Sequence, residues 1–317
     1  MKLRLGAFAL LCTLSTVKTF AAPFDAGAQP DFREYFSITG YGANTRFTEP
    51  SALALDERNR LIYIADQKAG VVSAFSLQGV AKFQYGAANG LKAPIGLAVD
   101  RAGDVFVSEN DGGPIKIIDS KGEVSTLELP DDKGYGKDPP KTGRIAIDRD
   151  DNLCVVDRAN CQVFVFDKDR KFKLKFGGVG DKRGQFKLIQ DVAFDKQGRI
   201  YVTDAVGTAV QVFDRNGAYI YGFGAHGEAD DAVSFPAGVF VDRHDQVWVV
   251  DKPRHSLKVF NRSGLFLRSF GAYGQGEGSL FYPVAAAQDA LGRVYVLEFG
   301  ARRLQVFTLN RPFEPFS

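Results

Sequence analysis

The stretch that decides the fold runs from residue 195 to residue 204 and reads Asp-Lys-Gln-Gly-Arg-Ile-Tyr-Val-Thr-Asp. Gly198 follows polar residues, which predicts a tight turn, because glycine accepts a positive φ without a Cβ clash. The β-branched and aromatic residues 200–202 are typical of a short strand, and so are residues 210–213. Asn216-Gly217 then predicts a hairpin into a further strand. With the strand that precedes Asp195, this unit is a meander of four short antiparallel strands.

This pattern recurs six times along the chain. Each copy opens on an aspartate and reaches a second acid nine residues later, or ten in the first copy. The opening aspartates are Asp56, Asp100, Asp148, Asp195, Asp242 and Asp289, and the second acids are Asp66, Glu109, Asp157, Asp204, Asp251 and Glu298. A β-unit that repeats every 44 to 48 residues is typical of propeller blades, which bury their faces against neighbouring blades. The sequence therefore predicts an all-β, six-bladed β-propeller of four-stranded antiparallel blades.

The sixth copy supplies only three of its four strands before the proline-containing C-terminus. At the other end of the chain, residues 35–40 precede Tyr41-Gly42 just as residues 266–270 precede Gly271. We therefore predict that the N-terminal strand 35–40 joins the C-terminal blade as its outer strand and closes the ring.

The beginning of the chain predicts export. A basic start is followed by 13 apolar residues, 5–17, and by small residues at Ala21 and Ala22, which is typical of a cleaved signal peptide. The predicted organisation is a signal peptide over 1–21, a flexible lead-in over 22–30, the propeller over 31–310 and a tail over 311–317. The expected location is secreted or periplasmic.

Charge narrows the choice of partners. Loss of Lys2, Arg4 and Lys18 with the signal peptide leaves 37 of the 40 basic residues against 38 acids, so the mature chain is near neutral. Nucleic-acid binding needs a basic surface, which this composition disfavours. We expect a protein or peptide partner, no transmembrane segment and a monomeric chain.

Several copies resemble the NHL repeat. The third copy reads Cys-Val-Val-Asp-Arg-Ala-Asn over 154–160, and its next strand reads Val-Phe-Val-Phe over 163–166. The links between copies resemble the family's Phe-Gly-x-x-Gly form at 176–186 and 270–281. The resemblance implies a six-bladed propeller and leaves the function open, because propellers carry out unrelated activities.

The second acids allow two interpretations. Each aspartate can accept backbone N–H groups within its own turn. Alternatively, the acids form a carboxylate ring that binds a divalent cation near the axis. Glutamate is longer and caps such a turn poorly, so Glu109 and Glu298, with Asn110, are the candidate ligands for Ca²⁺ or Zn²⁺. The corresponding function is a metal-dependent hydrolase or lyase, similar to gluconolactonases or to the amidating lyases. The amidating lyases resembled here hold zinc with histidines, whereas those slots contain Ile95, Ala237 and Val284.

Our first hypothesis is a non-enzymatic scaffold that binds a protein or peptide through its loop-rich face, with no cofactor. The irregular link 130–140 lies on this face, and irregular loops on rigid scaffolds often carry recognition. The candidate binding residues, all expected to be exposed there, are Lys68, Tyr135, Arg158, Arg254, His255, Tyr273, Arg302 and Arg303.

Two cysteines remain in the mature chain, Cys154 and Cys161. If Val156 pairs with Cys161, the two cysteines are diagonal neighbours on one face, about 7–8 Å apart at Cα and slightly beyond disulfide reach. A bulge would change this register, and an oxidising compartment favours pairing. The sequence leaves a disulfide and two free thiols open.

Overall fold

The computed structural model describes residues 32–42, 44–130, 138–227 and 229–309. Over these residues the chain forms six four-stranded antiparallel sheets, and this confirms the predicted six-bladed all-β propeller. Tyr135 and the predicted signal peptide, lead-in and C-terminal tail lie outside the described residues.

The 24 strands follow the predicted meander blade by blade. Blade one contains β2 (Pro50–Asp56), β3 (Leu61–Asp66), β4 (Val71–Ser76) and β5 (Ala81–Tyr85), and blade two contains β6 (Pro94–Val99), β7 (Val105–Glu109), β8 (Ile115–Ile118) and β9 (Val124–Leu127). Blade three contains β10 (Thr142–Ile147), β11 (Leu153–Asp157), β12 (Gln162–Phe166) and β13 (Phe172–Gly177), and blade four contains β14 (Ile189–Phe194), β15 (Ile200–Asp204), β16 (Val210–Phe213) and β17 (Tyr219–Phe223). Blade five contains β18 (Pro236–Val241), β19 (Val247–Asp251), β20 (Ser256–Phe260) and β21 (Phe266–Phe270), and blade six contains β22 (Pro283–Gln288), β23 (Val294–Glu298), β24 (Arg303–Leu309) and β1 (Phe32–Ile38).

The ring closes as predicted, through the N-terminal strand. β1 pairs antiparallel with β24, from Phe32 opposite Leu309 to Ile38 opposite Leu304. The ring of Phe32 stacks on that of Phe307, with centroids 3.9 Å apart. The closing strand therefore contributes both ladder hydrogen bonds and a buried aromatic contact to the last blade.

Apolar clusters between neighbouring blades form the core. Trp248, Tyr201 and Tyr295 are among the largest fully buried side chains, and each belongs to the second strand of its blade. The link residue Phe186 is also fully buried between the blades, and its ring approaches Gly177. A Cβ at Gly177, whose φ is +97°, would lie 2.8 Å from the carbonyl oxygen of Cys161, so a side chain there is excluded.

The start of every first strand carries a bulge. In all six blades the register between the first and second strands shifts by one residue immediately after the first ladder pair. In blade one, for example, Pro50 pairs with Asp66 and Ala52 with Ala65, which leaves Ser51 unpaired. Because a bulge re-aims the side chain that it carries, the six bulges set which residues surround the ring axis at this end.

The two strands that flank the cysteine turn pair in a different register from the one considered from the sequence. Asp157 pairs with Gln162, and Val156 pairs with Val163 instead of Cys161, so Cys154 lies opposite Val165. Cys161 lies in the turn with a positive φ of 51°. Both cysteines are buried free thiols, and burial raises the pKa of each.

Within the described part of the chain, no helix is long and apolar enough to cross a membrane. The helical element there is one short 3-10 turn, Ala87–Asn89.

Candidate functional site

The second acids fasten each blade to the link that precedes it. Asp204 accepts the backbone N–H groups of Lys187 at 2.7 Å, Leu188 at 2.8 Å and Val206 at 3.0 Å. Asp66, Asp157 and Asp251 accept corresponding N–H groups 16 to 18 residues earlier in the chain. All four carboxylates are buried, and backbone N–H groups of the preceding link are their main partners.

Glu109 and Glu298 perform the same task, contrary to the expectation that a glutamate is a poor cap. Glu109 accepts the N–H of Ala93 at 2.8 Å, and Glu298 accepts the N–H of Phe281 at 2.7 Å. The extra methylene suits this longer reach, because the target is the preceding link. A cation from the third strand also neutralises each glutamate: Lys116 lies 3.3 Å from Glu109, and Arg303 lies 2.7 Å from Glu298.

A cavity of about 220 Å³ opens at the loop-rich end of the ring axis. Two sets of side chains line it. The first set directly follows the second acids and comprises Gln67, Asn110, Arg158, Lys252 and Phe299. The second set comes from the bulges and comprises Ser51, Ile95, Gly143, Arg144, Gln190 and Val284, and Glu49 and Pro50 complete the wall.

Three cations share this cavity with a single carboxylate, that of Glu49. Burial lowers the pKa of Arg144, and the neighbouring charge of Asp191 opposes this shift. Burial also lowers the pKa of Arg158 and of Lys252, and repulsion from Arg144 lowers both further, whereas attraction to Asp157 raises the pKa of Arg158 and attraction to Glu49 raises that of Lys252. The mouth of the propeller is therefore a cationic site in which the positive charges repel one another.

Arg144 reaches across the ring. Its Nη2 donates to the carbonyl oxygen of Val284 at 3.1 Å, although Arg144 belongs to blade three and Val284 to blade six. These two blades are opposite in a six-membered ring, so the guanidinium spans the axis. Arg158 is held nearer the edge, where its Nη2 donates to the carbonyl oxygen of Asn110 at 2.8 Å.

The structure does not bring the predicted metal ligands together. Calcium takes six to eight oxygen ligands, and zinc takes histidine, cysteine or carboxylate ligands. Of the predicted metal ligands, Asn110 lines the cavity, whereas Glu109 and Glu298 are bound to the links and to cations. Among the described residues no group of three histidines, cysteines or acids is arranged to hold a metal.

Three of the predicted binding residues form hydrogen bonds within the propeller. Arg303 is only 8% exposed and is bound to Glu298, and its Nη2 also donates to the carbonyl oxygen of Gly276. His255 is also 8% exposed, and its Nδ1 accepts the N–H of Tyr282 at 2.9 Å. Arg254 donates to Ser234 Oγ at 2.7 Å. The expectation that Arg303 and His255 are exposed was wrong, because each is needed to hold an interblade link.

The other described candidates are exposed. Lys68 and Arg302 lie in the turns after the second strands, and Tyr273 is 69% exposed on the link before blade six. Further apolar side chains are exposed in the links and turns of this end of the ring, namely Val179, Leu188, Val206, Tyr282 and Phe299. The loop-rich face thus combines a cationic centre with an apolar rim.

Sequence reasoning missed Arg144 and Lys252. Lys252 directly follows the second acid Asp251, as Arg158 follows Asp157. The position after each second acid could therefore have been used to predict side chains that line the cavity. Arg144 has the weaker signal of its place at the start of a first strand, where most blades have a proline and a small or apolar residue.

No family model matches the chain, and no curated protein matches it. Solved propeller structures are similar to it. Virginiamycin B lyase from Staphylococcus aureus is 15% identical over 88% of this chain and 100% of that chain, with a TM-score of 0.63. A gluconolactonase from Xanthomonas campestris is 17% identical over 91% of this chain and 99% of that chain, with a TM-score of 0.64. A protein of unknown function from Bacteroides thetaiotaomicron is 15% identical over 86% of this chain and 72% of that chain, with a TM-score of 0.67. At these identities the likeness shows the shared fold.

Proposed function

We propose that this chain is an exported, NHL-like propeller that binds a protein or peptide through its loop-rich face. The observation that carries the proposal is the cationic cavity at the axis, with exposed tyrosine, phenylalanine and aliphatic side chains on the same face. Aromatic residues and arginine are enriched in protein interfaces, and charge complementarity selects the partner. The expected partner segment is acidic and carries an apolar or aromatic residue.

Partner capture tests this proposal. The exported fraction is passed over immobilised wild-type protein, Arg158→Glu and Arg101→Glu. Arg158 lines the cavity, and Arg101 is an exposed arginine in a turn at the opposite end of the ring, so the two variants change charge equally. We expect the captured partner to be lost with Arg158→Glu and retained with Arg101→Glu. Equal recovery on all three supports would refute the role of this face.

Export is tested separately. The full chain is expressed with its N-terminus intact, and the mature N-terminus is determined by sequencing. Cleavage near Ala21 in an exported product is the expected result, and an uncleaved chain that stays in the cell would contradict it.

A hydrolase or lyase is the second candidate, favoured by the fold shared with a lyase and a gluconolactonase and by a cavity in the mouth of the ring. The cationic lining argues against a bound divalent metal, so any such activity would depend on this chain's own arginines and lysine. Assays with gluconolactone and with virginiamycin B, together with metal analysis of the purified protein, test this candidate. Turnover that is lost in Lys252→Met would favour it over the scaffold, and no turnover of either compound would count against it.

A further inference from the structure

We propose that the axial cavity is a binding site for an oxyanion, in the first place the carboxylate of a peptide ligand, held by Arg144, Arg158 and Lys252. The inference deepens the proposed function, because the cavity is the centre of the loop-rich face. It can also be tested with small anions alone, without a protein partner.

The cavity lining carries more positive than negative charge. Three cationic side chains line the cavity, against the one carboxylate of Glu49. Just outside the lining, the carboxylate of Asp191 attracts Arg144 and that of Asp157 attracts Arg158, so part of the positive charge is offset. Bringing like charges together in a partly desolvated cavity costs free energy. A bound anion would remove this cost, as in other clefts lined by charge of one sign.

The three cations keep hydrogen-bond donors that other groups of the ring do not use. Lys252 Nζ lies 4.9 Å from the ring centroid of Phe299, and within the described residues it makes no hydrogen bond. Arg144 uses Nη2 for Val284, and Arg158 uses Nε and Nη2 for the carbonyl oxygens of Thr142 and Asn110. Further N–H groups of both guanidinium groups are therefore available. Arginine presents these groups in a planar fork that matches carboxylate and phosphate oxygens.

The volume of the cavity limits the size of its ligand. Cavities for drug-sized ligands measure about 300–1,000 Å³. The present cavity, at about 220 Å³, suits a small acid or a single acidic group. The amides of Gln67 and Asn110, which also line the wall, add neutral donors. The apolar rim outside the cavity would then contact the rest of a peptide.

The test is isothermal titration of the full-length mature protein in low-salt buffer with four probes: succinate, inorganic phosphate, calcium chloride with sodium chloride as its blank, and an acidic peptide prepared with a free and an amidated C-terminus. The variants are Lys252→Met and Arg158→Gln. The matched control is Lys121→Met, an exposed lysine in a turn at the opposite end of the ring. Each folded variant is first checked by its thermal transition.

We expect succinate or phosphate to bind the wild type and Lys121→Met equally. Each cavity variant should weaken binding about tenfold, the effect of losing roughly 1.4 kcal/mol. A preference for succinate over phosphate assigns the site to carboxylates, and weaker binding of the amidated peptide assigns it to a chain terminus. The inference is overturned if no anion binds, if calcium binds in preference to the anions, or if the cavity variants bind like the control. If anions fail to bind while partner capture still depends on Arg158, this inference fails and the proposed function stands.

Discussion

The loss of one second acid should destabilise the ring far more than the loss of an ordinary turn aspartate. Asp204 is fully buried and accepts three backbone N–H groups, two of them from the link between blades three and four. Asp214 lies in the same blade, is half-buried, and accepts the N–H groups of Asn216 and Ala218 within one hairpin. Asp204→Ala and Asp214→Ala therefore differ in burial and in the attachment of the link.

The expected magnitudes follow from these contacts. A hydrogen bond to a charged group contributes about 1.5–3 kcal/mol, and a buried donor left without a partner adds its desolvation cost. Because three bonds to one carboxylate are not additive, we expect Asp204→Ala to lower the free energy of unfolding by about 4 kcal/mol. Asp214→Ala, in an exposed turn, should lower the free energy of unfolding by about 1 kcal/mol. At about 2–3 °C per kcal/mol, Tm should fall by roughly 10 °C in the first variant and by about 3 °C in the second.

Thermal and urea unfolding measure the difference, followed by far-UV circular dichroism and by fluorescence. Trp248, the single tryptophan of the chain, is buried in blade five next to the altered blade and reports on the ring. Asp204→Asn, which keeps one acceptor oxygen in place, should fall between the other two variants. Equal losses of stability in Asp204→Ala and Asp214→Ala would refute the argument that the second acids fasten the ring.

Three further predictions concern closure, pH and the thiols. Deletion of residues 32–38 removes the outer strand of blade six and should lower Tm clearly in a calorimetric scan; an unchanged scan would contradict closure by this strand. Burial raises the pKa of Glu34, so the folded chain holds this proton more tightly than the unfolded chain, and stability falls as the pH rises from 4.5 through the raised pKa. Glu34→Gln should therefore raise Tm at pH 7 and lose this advantage below pH 4.5, whereas a lower Tm at pH 7 would show that the carboxylate stabilises the ring. Cys154 and Cys161 should react with a thiol reagent only on unfolding, and rapid labelling of the native protein would show that the buried thiols are accessible.

The fold could be predicted because each repeat contains the turn and strand residues that determine its local structure. A turn that starts at Asp195, a strand of five residues and a second acid at Asp204 recur with nearly constant spacing, so six copies define six blades. Closure of the ring could be predicted because the sixth copy lacks its fourth strand and the N-terminal residues 35–40 predict a strand that belongs to no other copy. The register of the cysteine turn was wrong by two residues, because the sequence of that turn fits more than one loop length and Cys161 takes a positive φ.

The site was harder to predict, for a different physical reason. The spacing placed Glu109 and Glu298 at the correct end of the ring, but it did not show that the preceding link would supply their partners. Arg144 and Lys252 are more than 100 residues apart in the sequence and come together only because the ring closes. The reach of Arg144 across the axis depends on the diameter of the ring and on the bulge that aims the side chain, and neither is visible in a local pattern.

A ring of six similar repeats needs positions at which the repeats can differ, because a ligand site at the axis is otherwise symmetrical. The second acids are not such positions, since every blade presents the same buried backbone donors to them. The residue that follows each acid bonds to the link through its backbone N–H, so its side chain can change from blade to blade. Five of these side chains line the cavity, namely Gln67, Asn110, Arg158, Lys252 and Phe299, whereas Ala205 is buried. The side chains of Asp251 and Lys252 thus have separate roles: the carboxylate is bound to the link and the ammonium group faces the cavity, while the backbone N–H of Lys252 also bonds to the link. The mouth can therefore carry positively charged side chains while the second acids hold the links, and Arg144 and Arg158 also donate hydrogen bonds to other blades.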